Sequence, residues 1–353
     1  MDKTVHPIRQ CIRYVHGYLL DVRARIRLKR LALKERCLAP GVYRMIHSRR
    51  YYLVRIDIPD SFLYSLGVKK NKHQIKDIVI RDSDDAVMGQ AMMVTAYGFK
   101  IFDVRNGIVY KKLVSDQESI SLKKAIELLT PCFQNTYIGI RKGFSEEKLI
   151  YGKPRKEWQL SDVPGIYFSI VDSYLEYFNT DIDIYKAPYD RTDILRILNP
   201  KYEILKIYQG LLLEIGDCNY PYIYMHGDMH FGNIIYDGHV WYIDFECARE
   251  EIFFYDLFNV LYVEYVDCQN SMLLDMYFAG NTQMINKFKR AFMLFDTNFS
   301  LDNRKIYFKT YLLARIRYDI LDLFNKYSGQ SLNKGLERIA SKNHRIVDYI
   351  NSH

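Results

Sequence analysis

One stretch in the second half of the chain places charged residues inside apolar runs. It reads YIYMHGDMHFGNIIYDGHVWYIDFECAR and covers residues 222–249. Two short β-prone runs, 234–236 and 240–243, flank the dipeptide Asp237-Gly238. Asp-Gly suits a tight hairpin turn with positive φ, so the sequence predicts a β-hairpin here.

Three side chains carry oxygen atoms to one end of this predicted hairpin. Asp228 lies on the loop before the hairpin, Asn233 directly precedes its first strand and Asp244 directly follows its second. Such a group suits a hard divalent cation and a hydroxyl nucleophile. The arrangement matches the kinase layout, in which a loop Asp accepts the substrate hydroxyl proton while an Asn and a strand-end Asp hold Mg²⁺.

Two linked motifs carry a family resemblance over about residues 222–258. Residues 226–233, HGDMHFGN, resemble the HGDxHxxN signature of the aminoglycoside phosphotransferase and choline kinase superfamily, and 243–248, IDFECA, resemble its I-D-[FW]-E-x-A signature. Asp256 and Leu257 fall where that superfamily has a structural Asp-Leu. The segment is also similar to the spore-coat and lipopolysaccharide kinase-like branches. Two motifs at the right separation are more specific than either alone.

The resemblance implies an α+β, two-lobed protein-kinase-like fold, with a small antiparallel β lobe and a large, mainly helical lobe. It implies transfer of the γ-phosphate of ATP, with Mg²⁺, to an alcohol hydroxyl of a small molecule or envelope saccharide. In that reading Asp228 is the catalytic base, and Asn233 and Asp244 are metal ligands. His226 belongs to the catalytic loop as a buried residue bonded to the backbone near Asp244, and Asp256 steadies the loop.

Two residues near the motifs leave alternatives open. His230 could form a metal set with His226, as in fragments of hydrolase sites, although a catalytic zinc needs three converging ligands. Glu246 fits contact with a substrate amine or a metal, and equally a role in bracing the loop.

The nucleotide side is predicted from the β-rich region before the motifs. Runs 92–96, 99–104 and 108–114 indicate three antiparallel strands, followed by a helix over 116–133 that Ser115 or Asp116 can cap. The third strand carries Lys111 and Lys112, which alternate between its two faces. One of them, with Lys111 preferred, would orient the phosphates. Glu118 would hold that lysine, with Glu127 as the weaker acidic candidate.

The sequence departs from the kinase pattern at the phosphate loop. No GxGxxG is present, so backbone amides around Tyr97-Gly98 would have to serve, or ATP is held differently. This departure supports an alternative function, a nucleotide-binding pseudokinase or scaffold in a cell-envelope or coat assembly.

The net charge of +8 derives substantially from one predicted basic helix at 7–37. It could meet an anionic membrane surface or a polyanionic substrate, or be a solvated face whose long side chains lie over its own apolar surface. No nucleic-acid-binding module accompanies it, so no nucleic-acid partner is expected.

The cysteine spacing and the hydropathy of the chain indicate its cellular compartment. The six cysteines are dispersed without a CxxC pair, and no apolar run approaches a membrane span or signal sequence. We expect a cytoplasmic protein, with a peripheral position at the inner membrane face as the alternative.

The predicted organisation has three parts: a basic N-terminal extension at 1–80 packed on the small lobe, the small lobe at 81–152 and the large lobe at 153–353. A second hairpin is predicted from 137–140 and 148–151. Helices are predicted over 163–178, 194–198, 202–216, 255–266, 271–295 in pieces, 303–327 and 332–350. Only eleven residues separate Asp244 from Asp256, too few for a peptide-docking activation segment, which favours a small-molecule or glycan acceptor.

Overall fold

The structure is a computed structural model of the 353-residue chain. It describes residues 26, 29–32, 34, 36–47, 51–65, 73–81, 88–95, 98–113, 115–153, 155–184, 202–215 and 220–353. The chain divides into two compact units. The first comprises 1–120 and 136–156, and the second comprises 121–135 and 157–353.

The first unit contains an antiparallel sheet of eight strands in the order β3-β1-β2-β4-β5-β6-β8-β7. The strands are β1 Gly41–His47, β2 Tyr51–Arg55, β3 His73–Ile80, β4 Ala91–Val94, β5 Phe99–Asp103, β6 Ile108–Lys112, β7 Tyr137–Arg141 and β8 Phe144–Lys148. Helix α1, Asp60–Ser65, follows β2. The sheet therefore begins well before residue 81. Its first three strands come from the segment that sequence analysis grouped with the N-terminal extension.

The predicted three-stranded meander is confirmed as β4, β5 and β6, which pair in sequence order. The predicted alternation along β6 is also confirmed. Tyr110 packs in one core cluster with Ile101 and Phe144, whereas Val109 packs in the other with Phe102 and Leu149. Both faces of the sheet are thus covered by apolar side chains.

The second predicted hairpin is correct in its first strand and wrong in its second. The returning strand is β8, Phe144–Lys148, instead of 148–151. Lys142 and Gly143 make the turn with φ of 48° and 74°, so the chain reverses earlier than expected. The sequence of β8, FSEEK, is polar at four of its five positions, which hides a strand from a hydrophobicity pattern.

The second unit is mainly helical. Helix α2, Asp116–Leu129, starts in the first unit and ends in the second. The further helices are α3 Asp162–Phe178, α4 Glu203–Ile215, α5 Tyr255–Val266, α6 Met272–Phe278, α7 Thr282–Met293, α8 Arg304–Lys326 and α9 Gly329–Ser352. Each matches a predicted helix. Two small sheets complete the unit, β9 Tyr222–Met225 with β12 Arg249–Ile252, and β10 Ile234–Tyr236 with β11 Val240–Tyr242.

Helix α5 forms the centre of this unit. It is buried around almost its whole circumference, as expected of a helix enclosed by others. Phe254 and Phe258 pack against aromatic rings of α7 and α8, among them Phe292 and Tyr311. Buried tyrosines, among them Tyr255, Tyr262 and Tyr311, form part of this core. Asp256, Asn259 and Glu264 are the buried polar residues of α5.

Two predictions concern residues that lie largely outside the described part. Most of the basic helix at 7–37 is outside it, and the described residues 29–32 within that range are helical. The predicted helix at 194–198 also lies outside. Among the described residues, no helix combines the length and the apolar character needed to span a membrane.

Candidate functional site

The predicted hairpin brings Asn233 and Asp244 to the same end of β10 and β11. In its register Ile234 lies opposite Tyr242, so Asn233 lies opposite Ile243. The N–H of Ile243 donates to the carbonyl of Asn233 at 3.1 Å, which extends the ladder by one step. Asp244 is the next residue.

Asp244 adopts the left-handed conformation, with φ 62° and ψ 52°, and precedes the short 3-10 helix Phe245–Cys247. Asp tolerates this region better than most residues because its short polar side chain bonds locally. The fully buried His226 places its Nε2 2.9 Å from the carbonyl of Ile243, immediately before this turn. The expected backbone bond of His226 near Asp244 is therefore present, and it fixes the loop against the hairpin end.

Asp256, at the start of α5, holds the loop that carries Asp228. Its carboxylate accepts the N–H groups of Gly227 at 2.9 Å and Met229 at 3.2 Å. It also accepts the hydroxyl of Tyr174 from α3 at 2.5 Å. Asp256 is completely buried, so each of these bonds satisfies a group that water cannot reach. The predicted structural role of Asp256 is confirmed.

Gly227 is required where this loop passes the second motif. Its φ is +76°, and a Cβ there would lie 2.3 Å from the carbonyl oxygen of Cys247 and 2.8 Å from Nη1 of Arg249. Any other residue would meet both backbone strain and a backbone clash.

Asn259 supports the same loop one turn further along α5. Its Nδ2 donates to the carbonyl of Met229 at 2.9 Å, and its Oδ1 accepts Tyr311 Oη at 2.7 Å and Arg315 Nη1 at 3.0 Å. Both Tyr311 and Arg315 belong to α8. Three helices, α3, α5 and α8, thus support the loop that carries Asp228.

Charged and polar groups approach both oxygens of Asp228. Arg315 Nη1 lies 3.6 Å from Oδ1, and His230 Nε2 lies 3.5 Å from Oδ2. The Nδ1 of His230 accepts the N–H of Gly232, so the ring proton is on Nε2 and faces the carboxylate. Burial alone would raise the pKa of Asp228, but the hydrogen bond from His230 and the charge of Arg315 outweigh it and hold that pKa below its ordinary value. Asp228 is therefore ionised near neutral pH.

The side chain of Asn233 is oriented by the same loop. Its Nδ2 lies 2.9 Å from the carbonyl oxygen of Asp228 and 3.5 Å from Oδ2 of that residue. Because the amide nitrogen faces Asp228, Oδ1 points away from it and can serve as a cation ligand.

The zinc alternative gains no support from the two histidines. His226 directs Nε2 to a backbone carbonyl, whereas His230 directs Nδ1 to a backbone amide and Nε2 to Asp228. Within the described ranges, no group of three or more His, Cys, Asp or Glu residues is arranged to hold a metal ion.

The predicted nucleotide-side residues lie in the first unit. Lys111 is paired with Lys100 on β5 and Ser145 on β8, and Lys112 Nζ lies 4.4 Å from the ring centroid of Phe144. The two lysines point to opposite faces, and their roles stay predictions. Ser115 caps α2 as predicted, accepting the N–H of Glu118 at 3.2 Å. Glu118 is half-buried, whereas the alternative candidate Glu127 is exposed.

Gly98, directly before β5, forms two hydrogen bonds with Thr95, directly after β4. Its N–H donates to Thr95 Oγ1 at 3.0 Å, and its carbonyl accepts the N–H of Thr95 at 2.9 Å. The predicted use of backbone amides around Tyr97-Gly98 for phosphate stays a prediction.

Sequence reasoning missed Asn259 and Arg315. Neither lies in a motif, and they meet the loop only through contacts spanning 30 and 87 residues. The sequence contained one hint of the role of Arg315, which lies in the apolar run from Leu312 to Ile316 of a buried helix face.

A sequence profile described as the phosphotransferase enzyme family (APH) matches residues 185–292, which include the loop, the hairpin and α5. This match confirms the resemblance predicted from the two motifs. The protein class that it indicates is a phosphotransferase. No curated protein matches the chain in sequence.

Several solved structures resemble the chain at low identity. The GDP and kanamycin complex of APH(2")-IIia is 13% identical, with 71% of this chain and 91% of that chain covered and a TM-score of 0.48. The microcompartment-associated aminopropanol kinase is 11% identical, with 92% and 98% covered and a TM-score of 0.43. A choline/ethanolamine kinase family protein from Mesorhizobium loti is 12% identical, with 70% and 83% covered and a TM-score of 0.43.

Proposed function

We propose that this chain is an ATP- and Mg²⁺-dependent phosphotransferase that moves the γ-phosphate to an alcohol hydroxyl of a small molecule or envelope saccharide. The observation that carries the proposal is Asp228. It is an ionised, half-buried carboxylate on a loop fixed by Asp256 and Asn259, beside the hairpin end that bears Asn233 and Asp244.

The residues at the hairpin end fit a magnesium ion bound together with a nucleotide. Mg²⁺ prefers oxygen ligands and usually takes one or two from the protein, with water and substrate phosphates supplying the rest. The carboxylate of Asp244 and Oδ1 of Asn233 supply that number. A bound Mg-ATP would provide the phosphoryl group and neutralise charge on its oxygens.

Asp228 would orient the acceptor hydroxyl and take its proton as the oxygen attacks. Phosphoryl transfer depends mainly on position and charge, so a fixed carboxylate is more useful than a mobile one. Lys111, or Lys112 on the opposite face, would bind the phosphates, with Glu118 holding the lysine. These nucleotide-side roles come from the family resemblance and the position of both lysines on β6.

The short connection after Asp244 supports a small acceptor. Of the eleven residues before Asp256, three form the 3-10 helix Phe245–Cys247 and four form β12, Arg249–Ile252. β12 pairs with β9 directly before the loop of Asp228. With Tyr255 as the first residue of α5, eight of the eleven residues belong to helices or strands, so the segment is too short for peptide docking of the protein-kinase kind.

A nucleotide-binding scaffold is the second candidate. The hydrogen bond from the Gly98 N–H to Thr95 Oγ1 supports it, because this amide is then not free to bind a phosphate. The ionised Asp228 favours the enzyme, because a scaffold has no use for a charged acceptor-side group.

The proposed function is tested by Asp228→Asn in phosphotransfer assays with amino alcohols, sugars and envelope saccharides. Loss of a positioned general base typically costs about 10²- to 10⁴-fold, so kcat should fall by that range while nucleotide binding is unchanged. Asp237→Asn at the hairpin turn is the matched control and should keep wild-type turnover. Near-normal turnover of Asp228→Asn with every acceptor would contradict the mechanism.

A further inference from the structure

Arg315 is the charged partner of the Asp228 oxygen that faces α8. The Nη1–Oδ1 distance is 3.6 Å, and the side chain of Arg315 is only 17% exposed. The other oxygen, Oδ2, lies 3.5 Å from both His230 Nε2 and Asn233 Nδ2. The carboxylate therefore has neighbours on both sides, and its rotation requires the loss of one of them.

The guanidinium is itself fixed by two further contacts. Nη1 donates to Asn259 Oδ1 at 3.0 Å, and Nε donates to Asp319 Oδ2 at 3.2 Å. A planar guanidinium held at two edges has a defined orientation, which an ammonium cannot reproduce. Arg315 thus connects a rigid helix with the side chain of the loop residue that would act on the acceptor.

We propose that Arg315 is a positioning residue for Asp228, holding its carboxylate in the orientation that receives the acceptor hydroxyl. The inference rests on the proposed phosphotransferase function. It assigns Arg315 no contact with nucleotide or acceptor, since its effect reaches the reaction through Oδ1 of Asp228.

The contacts separate this role from general support of the fold. The loop backbone is already held by Asp256, through the N–H groups of Gly227 and Met229. Asn259 also keeps a hydrogen bond from Tyr311 when Arg315 is absent. Loss of Arg315 should therefore leave the loop in place and release the carboxylate of Asp228. It also removes the partner of Asp319, a residue of α8 outside the loop.

The first test compares crystal structures of the wild type and Arg315→Met, with Arg315→Lys as the conservative variant. We expect the Asp228 carboxylate to rotate towards His230 in Arg315→Met while the backbone of residues 226–233 stays unchanged. An unchanged carboxylate orientation would overturn the proposal. This result is readable whether or not an acceptor has been found.

The second test is kinetic. Misplacement of a reacting group by about 1 Å costs on the order of 10²-fold in rate, so kcat of Arg315→Met should fall by about that factor with the nucleotide KM unchanged. Arg315→Lys should recover part of the loss, because it keeps a positive charge beside Oδ1 of Asp228. A rise in nucleotide KM without loss of kcat would overturn the proposal.

Lys309→Met is the matched control for stability. Lys309 also lies on α8 and is 8% exposed, and it pairs with Glu214, which is not part of the loop. Lys309→Met should lose about as much stability as Arg315→Met but keep the wild-type kcat. Equal kcat losses in both variants would show a general structural effect and reject the role of Arg315. A wild type that transfers phosphate to no acceptor would instead reject the proposed function, and the crystallographic test would still decide the role of Arg315.

Discussion

The carboxylate of Asp228 stays ionised in a half-buried position because of two neighbouring side chains. Burial opposes ionisation, but His230 donates towards one oxygen and Arg315 lies beside the other. The sequence identified Asp228 from its motif. It could not identify Arg315, because the contact depends on how α8 packs against α5 and not on any local pattern.

The lowered pKa of Asp228 predicts a particular pH dependence of stability. A carboxyl group whose pKa is lower in the folded state contributes stability above its unfolded pKa of about 3.9 and loses it as pH falls through the folded value. In EDTA, urea unfolding of wild type and Asp228→Asn should give a constant difference in unfolding free energy from about pH 7 to 5, shrinking below about pH 4. A difference that changes between pH 5 and 7 would show that burial dominates.

Gly227 gives a prediction with an internal control. Gly227→Ala forces a Cβ to 2.3 Å from the carbonyl oxygen of Cys247, whereas Gly238→Ala, also at positive φ, meets nothing within 4 Å. The left-handed strain alone costs roughly 1–2 kcal/mol, so Gly238→Ala should lose about that and Gly227→Ala clearly more. Urea denaturation measures both. Equal losses would mean that the close approach at Gly227 is relieved at no cost.

Among the elements, α5 has the largest influence on the site. Its first turn supplies Asp256 and its second supplies Asn259, three residues apart and therefore on the same side of the helix. The sequence predicted this helix with its bounds, and the family motif indicated Asp256. Asn259 appeared in the sequence only as an interruption of an apolar run.

Asp256 should therefore be among the costliest polar positions to truncate. Asp256→Ala leaves the N–H groups of Gly227 and Met229 and the hydroxyl of Tyr174 without their acceptor. A buried donor left unsatisfied costs roughly 1–3 kcal/mol, so the variant should lose at least about 3 kcal/mol, against about 1 kcal/mol for Tyr174→Phe. The double variant should lose less than the sum of the two. Additive losses in urea denaturation would show that Tyr174 and Asp256 act independently.

The sequence predicted elements with strong periodicity better than polar ones. The hairpin of β10 and β11 and the helices of the second unit follow from turn residues and apolar spacing. Strand β8 was misplaced because FSEEK has no strand-like apolar pattern, and β12, REEI, was missed for the same reason. Both strands are defined by their pairing partners, which a single sequence does not reveal.

At the scale of the whole molecule, the proposed function assigns roles to residues of both units. The residues proposed to bind the phosphates belong to the sheet-bearing unit, and those proposed to bind Mg²⁺ and the acceptor belong to the helical unit. The two sequence motifs identify the residues proposed to bind Mg²⁺ and the acceptor. The phosphate-binding lysine is less well defined, because strand alternation on β6 places Lys111 and Lys112 on opposite faces but does not show which of them binds.

The most direct test of the central claim is a thermal shift with ATP, GTP and ADP, each with and without Mg²⁺, on wild type and Asp244→Ala. A ligand that binds only the folded state raises the melting temperature, by an amount that grows with its concentration relative to Kd. We predict a Mg²⁺-dependent rise in wild type that is lost in Asp244→Ala. No rise with any nucleotide, or a rise that Asp244→Ala retains in full, would contradict the proposed nucleotide and metal site.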